Sequence, residues 1–339
     1  MIAWVDDVLR AVRRTVRAPA LQDVVRPLLR AEDAAALIAQ ALGARTMPMS
    51  RPVAQRASGD SLSVWKGRGL DYAESRVYQP GDDLRDLHWR LLARTGKPYI
   101  KVHQEEHAPA THVLLDLRPG MAFGTRLRTK AEQAARMVLL TCATQALAAE
   151  GASSVMGLTL WRHVPRALDL GRGQPAVQRL AQVLGQEQVV PAAMSEPDAA
   201  PPDAAAVFET WAQRLAGTLP AGSRLVLASD GAGWDAPGVD SALWALRSRA
   251  EVLMLLVCDP VEYALPSGVA LDAATFVDLL QRQTGTLSDN APLRATFTRL
   301  ALQRREALLA RWRAHGLICL EAGIKQADSD VLRALRQVV

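Results

Sequence analysis

Cysteine is scarce in this sequence and never closely paired. The three present, Cys142, Cys258 and Cys319, are far apart and set among apolar neighbours, and no CxxC occurs. This excludes a disulfide framework and a zinc ribbon, and predicts small core residues in a reducing compartment. Long apolar runs are also missing. A membrane helix needs ~18 or more such residues. The best candidates, Met137 to Ala149 and Val252 to Cys258, are too short or broken by Gln145. Asp6 and Asp7 stand where a secretory signal would carry positive charge. A cytoplasmic protein without a transmembrane segment is the expectation. There is no Walker A loop, no G-x-G-x-x-G after a strand and no G-x-S-x-G elbow. No cofactor, small-molecule substrate or catalytic residue is expected.

What the chain does have is an ordinary globular composition, 49% apolar and 22% charged over 339 residues. That length supports two domains or one enlarged one. The formal charge of +5 is accounted for by residues 1–70, where eleven Lys/Arg face six Asp/Glu. Trp4, Val5, Val8, Leu9, Val12 and Val16 recur at helical spacing, with Arg10, Arg13, Arg14 and Arg17 mostly opposite. Pro19 ends that helix. A second is expected from about Arg26 to Leu42, with Pro27 in its first turn. Residues 1–48 thus read as a basic helical leader that could meet an acidic partner, nucleic acid or anionic lipid. No aromatic residues interleave with the arginines, so a solvated helix face is preferred over nucleic-acid binding.

From His112 onward short apolar strands alternate with helices. Strands are predicted over 112–117, 154–161, 224–229, 252–258 and 317–320. Helices are predicted over 129–150, 207–216, 241–249, 291–315 and from Ser329, with Thr129 capping the first and Gly151 closing it. Residues 191–206, rich in Pro, Ala and Asp, read as a surface loop. This alternation predicts an α/β domain over 111–339, its mostly parallel central sheet covered by helices on both faces. The functional edge of such a sheet lies at the carboxyl ends of its strands, where Asp116, Asp230 and Asp259 fall.

Residues 49–110 form a connector, polar from Met47 to Ser61, and then a dense irregular segment. Gly67 and Gly69 around Arg68 suggest a tight turn, and Pro80-Gly81 suits the centre of a type II turn. Asp82 or Asp83 can cap a short helical turn through Arg85. Thr95 to Pro98 reads as the turn into a strand over Tyr99–His103. Asp82, Asp83 and Asp86 lie beside Arg76, Arg85, Arg90 and Arg94. One reading is a carboxylate site for metal or acid–base work, as in a metal-dependent hydrolase. The preferred reading is an arginine–carboxylate network over a buried Trp89, because guanidiniums satisfy carboxylates bidentately and leave no charge for a metal. His103-Gln104-Glu105-Glu106-His107 formally matches H-x-x-E-H. On a strand those histidines stand about 13 Å apart, too far to share a zinc ion.

The run GRGLDYAESRVYQPGDDLRDLHWRLLARTGKPYIK, with Tyr78 beside its Pro-Gly turn, resembles the bacterial family called domain of unknown function 58. HVLLDLRPGMAFGT, KAEQAARMVLL and CDPVEYALPSG resemble further stretches of it, together reaching from Gly59 to Leu335. The resemblance implies a von Willebrand factor A-like fold and no enzymatic activity. It also implies a role beside a MoxR-type AAA+ ATPase in chaperone-like remodelling. Such A-domains usually bind Mg²⁺ through an Asp-x-Ser-x-Ser loop and a later Asp. The matching loop here keeps Asp116 but has Arg118 and Gly120 at the serine positions, and Asp230 is the counterpart of the later Asp. Two ligand oxygens are lost and a permanent positive charge is gained. No metal is expected, and Arg118 is expected to donate to both Asp116 and Asp230. A protein-interaction scaffold using the surface around these residues is the resulting functional expectation.

Overall fold

The computed structural model describes residues 26–45, 66–79, 83–104, 110–125, 127–146, 155–189, 203–236, 238–264, 275–277, 284–286 and 291–338. The first expected helix, the polar connector, Pro80 to Asp82 and Glu105 to His107 lie outside them. The chain divides into two compact units, Met1–Met47 with Pro109–Val339, and Pro48–Ala108. The larger unit begins with β1 (Arg26–Pro27) and α1 (Ala31–Arg45), and the smaller holds β2 (Lys66–Val77), α2 (Trp89–Thr95) and β3 (Tyr99–Gln104). The larger resumes with β4 (Thr111–Asp116), α3 (Lys130–Ala146), β5 (Val155–Trp161), β6 (Pro165–Arg172), α4 (Gly173–Gln186) and β7 (Gln188–Val189). Then come α5 (Ala204–Thr218), β8 (Ser223–Ser229), α6 (Val239–Arg247), β9 (Ala250–Cys258), β10 (Thr275–Val277) and β11 (Thr284–Thr286). The chain closes with α7 (Ala291–Ala314), β12 (Ile318–Gly323) and α8 (Asp328–Val338).

Six strands form one sheet in the order β12-β9-β8-β4-β5-β6. Every neighbouring pair is parallel except β5 with β6. Strand side chains alternate between faces, and here both faces are apolar. Val113 and Leu115 of β4 join the core built with α1, α3, α4 and α8, whereas Leu114 joins the one built with α5, α6 and α7. β8 and β9 repeat the pattern, with Val226, Leu253 and Leu255 on one side and Leu225, Leu227 and Met254 on the other. A strand buried on both faces reads as an unbroken apolar run. The α/β architecture with a mostly parallel, doubly covered sheet is therefore as expected. The antiparallel strand β6 was not anticipated: as an edge strand it is largely half-buried or exposed, and its sequence lacks an apolar run.

The start of the chain departs from expectation. Arg26 and Pro27 form a two-residue ladder with Val189 and Gln188, and the helix begins only at Ala31. Proline has no N–H to donate and suits such a short edge pairing. Glu32 and Asp33 then place negative charge in the first turn of α1, where the helix dipole favours it. Leu28, Leu29, Leu37 and Ala41 are buried in the larger unit's core. Arg26 also pairs with Glu132 of α3 at 2.7 Å.

In the smaller unit β2 and β3 pair antiparallel, with Arg76 opposite Ile100 and Val77 opposite Tyr99. Lys66 and Asp71 both face Gln104, so the intervening residues leave the ladder. Gly67 and Gly69 thus lie in a bulge within a strand, not in a tight turn. The 95–98 turn is as read: Gly96, at φ +69°, closes α2 by donating to the Leu92 carbonyl at 2.8 Å.

Candidate functional site

The chain runs from β4 to β5 and β6 on one side, then returns to place β8, β9 and β12 on the other. The crevice at the carboxyl ends of β4 and β8 is therefore the topological switch point of the sheet, where α/β folds build their sites. Asp116 ends β4 there and is fully buried. Its carboxylate accepts the Arg118 backbone N–H at 3.0 Å, the Arg118 Nε and Nη2 at 3.0 and 2.6 Å, and the Ser229 hydroxyl at 2.6 Å. The Arg118 guanidinium also donates to the Ala232 carbonyl at 3.0 Å and lies 4.3 Å from the centroid of the buried Trp161 ring. Burial alone would lower the Arg118 pKa. The charge of Asp116, its hydrogen bond and the nearby Asp230 outweigh that, so the net shift is upward.

Asp230 is not held by Arg118, contrary to expectation. Its partner is Lys130, the first residue of α3, whose fully buried ammonium donates to Asp230 at 2.5 Å and to Glu262 at 2.7 Å. Arg118 is committed to the carboxylate two residues earlier and to the Ala232 carbonyl. A second cation therefore serves the second carboxylate. Thr129 and Glu132 form a reciprocal cap ahead of Lys130: the Thr129 N–H donates to Glu132 at 2.6 Å, and the Glu132 N–H donates back to the Thr129 hydroxyl at 3.3 Å. This fixes where Lys130 enters the crevice.

The Asp-Pro-x-Glu run at 259–262 has an equally local logic. Asp259 caps a short turn, Pro260 takes its first position, and Glu262 reaches back to the Asp259 N–H at 3.1 Å. The same Glu262 receives Lys130. Asp259 additionally accepts the Thr125 N–H and hydroxyl, both at 2.8 Å, clamping the loop that precedes α3. Gly124 in that loop is required sterically, since a Cβ there would lie 2.4 Å from the Arg128 carbonyl oxygen.

Each carboxylate of this edge is thus satisfied by a buried cation, a hydroxyl or a backbone N–H. The residues do not fit a divalent ion: the spaces beside Asp116 and Asp230 hold a guanidinium and an ammonium, and Gly120 supplies no oxygen side chain. Among the described residues, no group of three His, Cys, Asp or Glu side chains could hold a metal. Burial pushes the Cys142 and Cys258 thiols up to about 12, with Glu321 and Glu262 adding to the effect at Cys258. Neither is a thiolate nucleophile at neutral pH. The sequence singled out Asp116, Arg118 and Asp230, and the fold brings them together. It missed Lys130 and Glu262, whose only signals were a lysine beside a Thr-x-x-Glu cap and the acidic end of Asp-Pro-x-Glu.

The signature segment contradicts the expected ion-pair network. Trp89 is 66% exposed, not buried. Arg85, Arg90 and Arg94 are exposed and enter none of the ion pairs among the described residues. Asp83 accepts the Arg85 backbone N–H at 3.0 Å, as a cap. Among the described residues, those buried here are Leu87 and Ile100, which bridge to each other, while Tyr78 donates its N–H to the Pro98 carbonyl at 3.0 Å. A helix of seven residues with polar residues on several sides has no deep face to bury its tryptophan. Asp82 and the side chain of Arg76 lie outside the description. His103 sits on β3 as expected, and Glu105 to His107 fall beyond the described residues.

Two uncharacterized proteins, from Mycobacterium tuberculosis (strain ATCC 25618 / H37Rv) and Mycobacterium bovis (strain ATCC BAA-935 / AF2122/97), are each 32% identical to this chain over 111 residues. The match covers 32% of this chain and 34% of each relative, about a third of their length. Among solved structures, the conserved hypothetical protein BatB from Bacteroides thetaiotaomicron aligns at TM-score 0.40 and 12% identity. It covers 68% of this chain and 97% of that one. An aerotolerance-related membrane protein from Bacteroides fragilis NCTC 9343, carrying multiple mutations to serines, aligns at 0.41 and 12% identity, over 68% and 98% of the two chains. No helix among the described residues is long and apolar enough to cross a membrane. The profile of one family matches residues 74–307, well over half of the sequence and including the signature segment from Glu74, β4 and the Asp-Pro-x-Glu turn. The chain therefore belongs to the family described as Protein of unknown function DUF58.

Proposed function

We propose that this chain is a non-enzymatic adaptor, a protein-interaction scaffold that works in the cytoplasm beside a MoxR-type AAA+ ATPase. The observation that carries this reading is the closed switch point. The place where an α/β fold would position reacting groups is filled by Asp116–Arg118 and Asp230–Lys130–Glu262 pairs, buried and mutually satisfied. The sequence carries no phosphate-binding loop, so any ATP-driven step must be made by another chain. The resemblance to the family supplies the class of that partner, and the separated cysteines support a reducing compartment. The test uses purified components: this chain is mixed with a MoxR-type ATPase from the same organism, and complex formation and ATP turnover are measured. A stoichiometric complex whose ATPase rate differs from that of the ATPase alone supports the reading. Hydrolytic activity of the isolated chain, or no complex with the ATPase, would contradict it.

A further inference from the structure

A seven-residue helix does not persist in water through its own hydrogen bonds. Yet α2 is held at both ends. The His88 ring accepts the Leu91 N–H at 3.1 Å, Gly96 closes the last turn, and the Thr95 hydroxyl donates to the Leu91 carbonyl at 2.7 Å. The chain before it is pinned where the His88 N–H donates to the Tyr99 carbonyl at 2.7 Å, beside the Leu87–Ile100 bridge. With all this support, α2 buries none of its residues. The local bonds hold up a face, not a core.

That face consists of Trp89, Arg90 and Arg94, with exposed Arg85 before it and exposed Lys97 after it. Arg90 and Arg94 are one turn apart, and like charges at that spacing repel. The helix sequence WRLLART contains no acidic residue to offset them. None of the four cations enters an ion pair among the described residues. Folding alone gives no reason for an exposed tryptophan among unpaired arginines, because neither contributes burial or charge neutralisation.

We infer that the Trp89–Arg90–Arg94 face of α2 is a docking surface for an acidic segment of a partner protein. Charge complementarity selects carboxylates as the matching groups, since arginine forks bind them bidentately. Tryptophan and arginine are the residue types that dominate protein interfaces. A nucleic-acid strand fits less well: successive bases need successive aromatic platforms, and α2 offers one. Asp83 and Asp86, in the same stretch as the four cations, would repel a phosphate backbone but suit a mixed-charge protein surface. The inference rests on the adaptor reading only in taking the partner to be a protein.

The test uses the full chain and a fluorescein-labelled peptide of alternating glutamate and leucine, with poly(U) RNA and phosphatidylglycerol vesicles as parallel probes. The peptide is expected to bind, more weakly as salt rises. Its affinity should fall tenfold or more in Trp89→Ala and in the double variant R90E/R94E, whose melting curves stay those of the wild type. Unchanged affinity in both variants, or no peptide binding, overturns the assignment. So does binding of RNA or vesicles in place of the peptide. A photo-crosslinker at position 90 separates the remaining occupant: crosslinks to an added acidic peptide support the proposal, and crosslinks only to residues 109–339 of the same chain overturn it. If these tests fail while the ATPase complex still forms, the docking face is wrong and the adaptor role stands. If the ATPase complex fails while the peptide arms succeed, the reverse holds.

Discussion

Two charge-rich regions of this chain look alike in sequence and differ in three dimensions. Around Asp116 the charges are buried and matched, with Lys130 fully enclosed and shared between Asp230 and Glu262. Around Trp89 the arginines are exposed and enter no ion pair among the described residues, and the aromatic ring is out in solvent. Composition does not separate the two, since each mixes Asp with Arg. The difference lies in topology. The first set sits at the ends of strands buried on both faces, where an unpaired charge is costly, and the second on a short helix that buries none of its residues.

Substitutions should split along that line. The largest effect is expected at Lys130: Lys130→Met leaves Asp230 and Glu262 buried without a counter-charge, and should cost ~3–5 kcal/mol in chemical denaturation. A wild-type unfolding midpoint for this variant would mean that the pairs contribute nothing.

A smaller effect concerns acid. His112 of β4 hydrogen-bonds Thr159 at 2.8 Å and lies against Trp211, and burial lowers its pKa to about 4. The unfolded chain takes up that proton near the ordinary value of 6.5. Between those values the unfolded state binds more protons, so stability is full above about pH 6.5 and falls as pH drops toward 4. The loss attributable to His112 is on the order of 3 kcal/mol. Denaturation of His112→Gln should show a shallower decline over that window, and an identical decline would remove His112 as its cause. Arg118→Ala removes the cation beside Asp116 and its packing on Trp161. Because that side chain is partly exposed, about 2 kcal/mol is expected. The smallest effect is expected at Trp89, where Trp89→Ala should stay within ~0.5 kcal/mol of wild type. A loss of several kcal/mol would show that the ring is buried after all.

Much of the larger unit was legible because its signals are local. Apolar runs at β4, β8 and β9 and the Thr129 cap each specify their own element, and their alternation gives the parallel sheet. Asp116, Arg118 and Asp230 were found through the loops that end two of those strands. Lys130 and Glu262 were not, since a lysine at a helix start reads as solvated until the fold brings two acids 132 and 100 residues away against it. Trp89 was misread for the opposite reason. A tryptophan beside Leu87, Leu91 and Leu92 suggests burial, but α2 is too short to present an apolar stripe to a core. Pro27 misled as well, because its place at a helix start and on a two-residue edge ladder are equally compatible with a fixed φ.

Titration calorimetry of the purified, metal-stripped wild-type chain with Mg²⁺ addresses the internal neutralisation of the Asp116–Asp230 crevice most directly. Arg118 and Lys130 already hold the carboxylates that a divalent ion would need, so no binding heat is expected at millimolar Mg²⁺. A stoichiometric binding isotherm, abolished in Asp116→Asn or Asp230→Asn, would contradict it.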